Sequence, residues 1–131
     1  MVATSAPSNP LVRVFSETGA YITQFNPYPA LKLTGVSIAL GDIDGDGLDD
    51  IIISGTGDYP ATILLQQKNG KFNTKLMPAI IGKDVRRPES LGTLLFDADN
   101  DGDLDLYMAS GSNQFETGTK NYQDRFYTND G

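Results

Sequence analysis

The 131-residue chain is sized for one domain, and its net charge of −7 leaves no basic face of the kind nucleic acid needs. Cysteine and histidine are both absent, which excludes disulfides, zinc thiolates, a Cys nucleophile, a Ser-His-Asp triad and most transition-metal sites. No stretch approaches the roughly 18 consecutive apolar residues of a membrane span.

The opening MVATSAPSNP has neither a charged n-region nor an apolar h-region, so it does not read as a signal peptide. Residues 1–10 are expected to form a flexible lead-in. LVRVFSETGAYITQF, from Leu11 to Phe25, offers two strands around Glu17-Thr18-Gly19, and residues 11–30 read as part of a larger β unit. Residues 31–84 then carry four short strands: Val36–Leu40, Asp50–Ser54, Thr62–Gln66 and Lys71–Leu76. Gly57-Asp58-Tyr59-Pro60 and Asn69-Gly70 supply turns, the second being the strongest short hairpin signal in the chain. Residues 85–131 give Gly92–Phe96, Leu104–Ala109 and a last strand within DRFYTNDG, Asp124 to Gly131, with no fourth strand. Fourteen glycines, seven prolines and short bursts of β-branched and aromatic residues make this an all-β chain.

Two aspartate runs dominate the chemistry. Asp42 and Asp97 open them 55 positions apart, and an apolar burst precedes and follows each run. Such a period points to a repeat architecture, with four-stranded antiparallel meanders as propeller blades. Ten of the 17 acidic residues lie in these runs, so the acidity is local. One divalent cation in each would bring the formal charge from −7 to −3.

Counting from the first Asp, positions 1, 3 and 5 are Asp42, Asp44 and Asp46 in one run and Asp97, Asp99 and Asp101 in the other. Position 9 is Asp50 or Asp105. The backbone carbonyl at position 7, Leu48 or Asp103, is a further candidate ligand. Calcium takes six to eight oxygens at about 2.3–2.6 Å, and a curled loop can aim alternate side chains at it. Gly47 and Gly102 at position 6 allow the sharp bend, while Gly45 and Asn100 at position 4 tolerate left-handed backbone. Two carboxylates about 4 Å apart repel by roughly 4 kcal/mol at an effective dielectric near 20, so four converging ones call for a neutralising ion. Magnesium fits less well, because it keeps its waters. An EF-hand is excluded, since position 12 is Ile53 or Met108 in place of Glu and no helix flanks either run. A dockerin-type loop also continues into a helix.

The D-x-D-x-D-G-x-x-D loop between two strands resembles the FG-GAP/VCBS repeats of integrin-type β-propellers. GVSIALGDIDGDGLDDIIISG matches that repeat closely. LFDADNDGDLDLYMASG, followed by QDRFYTNDG, is similar to bacterial secreted repeat proteins, including those with ASPIC domains. The resemblance covers Gly35 to Gly131 and, more loosely, Leu11 to Phe25. It implies an incomplete propeller of about two and a half blades, with two Ca2+ ions at the carboxylates named above. It also implies an extracellular or cell-surface scaffold or adhesion module with protein or polysaccharide partners, and not an enzyme.

The open ends would let two copies close a ring by strand exchange. The competing reading is a piece of a secreted propeller-fold lyase or hydrolase whose catalytic residues lie outside this chain. A two-carboxylate glycosidase site needs unequal environments in a cleft, whereas these aspartates are committed to loops. Tyr21, Phe25, Tyr28 and Phe72 read as strand side chains packing between blades. Arg86 and Arg87 read as an exposed inter-blade loop, and Asp124-Arg125 as a local turn contact.

Overall fold

The computed structural model describes residues 2–6, 9–28, 36–56, 59–77, 88–111, 113 and 115–131, with the backbone alone at 2–6 and 9–10. The expected loop arginines, Arg86 and Arg87, and the Gly57-Asp58 half of one expected turn lie outside these residues. The chain divides into two units, Met1–Val36 and Ser37–Gly131. Both are antiparallel β, and the described residues hold no α-helix, only a single 3-10 turn at Lys120–Tyr122.

The first unit is a three-stranded sheet in the order β1 (Val2–Ala6), β2 (Asn9–Phe15) and β3 (Tyr21–Phe25). The expected lead-in therefore carries β1 and the start of β2, and the expected pair of strands is a triplet. Polar, small residues concealed this, because β1 joins by backbone pairing from Val2 opposite Arg13 to Ala6 opposite Asn9, which composition does not encode. A bulge between Val14 and Phe15 shifts the β2–β3 register. Beyond it the Ser16 and Ala20 backbones close the turn at 2.8 Å, with Gly19 at φ 81°. Val12 and Val14 are buried. Tyr21, expected to pack between blades, stays 57% exposed, its ring meeting Phe15 edge-on at 6.0 Å.

The second unit holds two sheets. One is the expected four-stranded meander, β4 (Ile38–Gly41), β5 (Asp50–Ile53), β6 (Thr62–Gln66) and β7 (Phe72–Leu76), hydrogen-bonded in chain order. Asn69-Gly70 closes its last hairpin: the Gly70 amide donates to the Gln67 carbonyl at 2.8 Å, with φ 77° at Gly70. The other sheet has three strands, β8 (Ser90–Phe96), β9 (Asp105–Ser110) and β10 (Arg125–Tyr127), in the order β10-β9-β8. At the β9–β10 junction the Asp124 carboxylate accepts the Tyr107 hydroxyl and, at 2.8 Å, the Ser110 amide, the local turn contact expected there.

The two sheets of this unit pack face to face. Alternation along the strands puts Ala39, Ile52 and Ile63 on one inner face and Leu95, Leu106, Met108 and Tyr127 on the other. Full burial of an Ile or Met side chain contributes about 1.5–3 kcal/mol, so Ile52 and Met108, at 1% and 0% exposure, anchor this interface. Ser37 clips the inner strands together: its hydroxyl accepts the Thr93 amide and meets the Thr93 hydroxyl, each at 3.0 Å. Ile51 and Ile53, on the other face of β5, are also at 0% exposure, so β5 is buried on both sides. That explains its unbroken isoleucine run.

Candidate metal centre

Each aspartate run forms the corner between the first two strands of its sheet, β4 to β5 and β8 to β9. The backbone turns where left-handed residues allow it: φ is 72° at Gly45, 85° at Gly47, 66° at Asn100 and 99° at Gly102. The first aspartate of each run then caps the bend from inside. Asp42 accepts the amides of Asp46 at 3.0 Å and Gly47 at 2.8 Å. Asp97 accepts those of Asn100 at 2.7 Å and Gly102 at 3.1 Å. The position-5 carboxylates hold the exit, Asp46 accepting the Leu48 amide and Asp101 the Asp103 amide, both at 2.9 Å.

Position 9 does something the sequence did not disclose. Asp50 is fully buried and grips two distant amides, Ile43 at 2.9 Å through one oxygen and Gln66 at 2.7 Å through the other. Asp105, equally buried, takes Ala98 at 2.9 Å and Asn129 at 2.9 Å. Each carboxylate thus ties the start of its own loop to the end of the third strand or the chain just past it. Two charge-assisted hydrogen bonds make such a buried group tolerable. Backbone amides are the donors, so no side-chain pattern could have revealed the receivers.

The carboxylates converge in both corners. In the first, Asp42, Asp44 and Asp50 each bring one oxygen within 4.8 Å of the others; in the second, Asp97, Asp99 and Asp101 do so. Asp46 and Asp105, both expected in the ligand sets, stand outside these clusters. Crowding shows in the protonation balance. Burial pushes the Asp50 carboxyl above its ordinary range against the pull of its two amide donors, and the charge of Asp44 adds to it. Asp99 is raised by lost hydration first and by the charges of Asp101 and Asp105 next.

The donors are hard oxygens only, and ligands around one calcium ion lie within about twice a 2.3–2.6 Å bond of each other. Oxygens grouped within 4.8 Å meet that requirement. The residues present therefore fit a hard divalent cation.

Paired antiparallel blades with an acidic corner at the same place in each define a propeller-type repeat module. The chain belongs to the FG-GAP-like repeat family, whose match spans residues 42–108, just over half of its length. Neither the curated proteins nor the solved structures gave a match.

Proposed function

We propose that the chain is a calcium-binding FG-GAP-like module acting as an extracellular scaffold or adhesion domain, and not as an enzyme. The observation that carries this reading is the recurrence, 55 positions apart, of a three-carboxylate cluster on the same strand-to-strand corner. Asp42, Asp44 and Asp50 would hold one ion and Asp97, Asp99 and Asp101 the other, with Asp46, Asp105 and the Leu48 and Asp103 carbonyls completing the oxygen shells.

The ion supplies positive charge, and this chain's own residues do the rest. The Asp42 and Asp97 carboxylates hold their loops curled, and Asp50 and Asp105 anchor those loops to the sheet. Partly exposed sites of this kind suit the millimolar calcium found outside cells, where affinities of about 10⁻⁴–10⁻³ M suffice. Protein or polysaccharide partners would then meet a surface whose corners are locked by the metal.

Thermal unfolding in calcium and in chelator tests the reading. A midpoint at least several degrees higher in calcium is expected. An unchanged midpoint, together with no heat of calcium binding by calorimetry, would overturn it.

A further inference from the structure

The two sheets of the second unit face each other with unequal numbers of strands. On the four-stranded side one row of paired residues runs Ala39, Ile52, Ile63, Lys75 across all four strands. The facing row runs Leu95, Leu106, Tyr127 and ends there, at β10. Where the second row stops, a cavity of about 290 Å³ opens between the sheets, lined mainly by apolar side chains that include Ile63, Leu76, Leu106 and Tyr127. Leu76 at its margin is 62% exposed. Among the described residues, β10 pairs on one side only.

We propose that the outer edge of β10 accepts an extended peptide strand, whose alternate apolar side chains fill this cavity and complete the sheet. An open strand edge presents unpaired N–H and C=O groups, and adjoining pockets select every second side chain of the incomer.

The chain itself specifies the chemistry of that incomer. Ile51 and Leu106 stand 55 positions apart, and their third-strand partners are Leu64 and Tyr127. In the complete sheet the next strand is β7, which sets Phe72, Thr74 and Leu76 opposite Gln66, Leu64 and Thr62. A strand beside β10 with the same pattern would direct an aromatic, a small polar and an aliphatic side chain at the cavity.

The probe is a fluorescein-labelled peptide with the sequence of Lys71–Met77, titrated against the full chain in calcium. Saturable binding is expected, with slowed hydrogen exchange at Arg125–Tyr127. Leu76→Lys, an exposed position that should leave folding intact, should weaken binding at least tenfold. A scrambled peptide that keeps composition but loses the alternation should bind at least tenfold more weakly. Sedimentation velocity supplies the second arm. If a second copy already donates the strand, the chain self-associates and an excess of peptide dissociates it, which also supports the site. The proposal is overturned if the peptide neither binds nor dissociates an assembly. It is equally overturned if the scrambled peptide or the Leu76→Lys variant behaves like its parent.

Discussion

Asn129 and Ile43, separated by 86 positions, are joined by a hydrogen bond of 2.9 Å from the Asn129 side-chain amide to the Ile43 carbonyl. The backbone amide of the same asparagine donates to Asp105 at 2.9 Å. One residue therefore fastens the end of the second sheet both to its own acidic corner and to the corner of its neighbour. Asn129→Ala removes the first bond and keeps the second. It should lower stability by about 1 kcal/mol, the usual net worth of a partly buried hydrogen bond. Urea unfolding should show a reduced midpoint with an unchanged slope.

Asp105→Ala is a harsher change. It strands the amides of Ala98 and Asn129 in a buried place, and each unsatisfied donor costs about 1–3 kcal/mol. A loss of about 2–5 kcal/mol is expected in urea unfolding with chelator present, where any metal contribution is absent. A loss below that of Asn129→Ala would show that the carboxylate is not the anchor.

Binding stoichiometry separates the two corners. Asp44→Asn and Asp99→Asn each weaken one three-carboxylate cluster and leave the other intact. On the calcium reading, calorimetry should show two ions per chain falling to one in either variant, and to none in the pair.

Acid and alkali should act on the Tyr107–Asp124 bond in opposite limbs. The Tyr107 hydrogen bond chiefly, and the Ser110 amide next, hold the Asp124 carboxyl below its ordinary 3.8. A depressed folded value contributes stability that is present above 3.8 and lost as pH falls through the lower folded value. The same bond holds Tyr107 above its ordinary 10.0, so its contribution is present below 10.0 and lost as pH rises through the folded value. The difference in Tm between the natural chain and Tyr107→Phe should be flat between these limits and shrink beyond each of them.

Packing gives a clean contrast on one sheet. Met108 is at 0% exposure and Leu94, two strand faces away, is at 56%. Met108→Ala should cost about 2–5 kcal/mol, while Leu94→Ser should stay within about 0.5 kcal/mol. Denaturant midpoints of the two variants test this directly.

Much of the second unit was legible because its signals are carried by side chains. Thr62–Gln66 is β6 to the residue, since a hairpin turn and β-branched residues bound it. The left-handed positions Gly45, Gly47, Asn100 and Gly102 were readable from residue type alone. What escaped was carried by the backbone. The pairing of Val2–Ala6 with β2 leaves no mark in small polar residues, so a strand passed for a tail. Asp50 and Asp105 read as ligands only, because the amides of Gln66 and Asn129 that they hold carry no pattern.

Those two grips also give each acidic corner its own spectroscopic address. Any change in the charge felt by Asp50 must pass along its 2.7 Å hydrogen bond to the amide of Gln66. A change at Asp105 must likewise reach the amide of Asn129. In a proton–nitrogen correlation spectrum these amide peaks would move independently. The two loops, alike in sequence and too crowded with aspartate to resolve from one another, could then be titrated separately by listening at a glutamine and an asparagine.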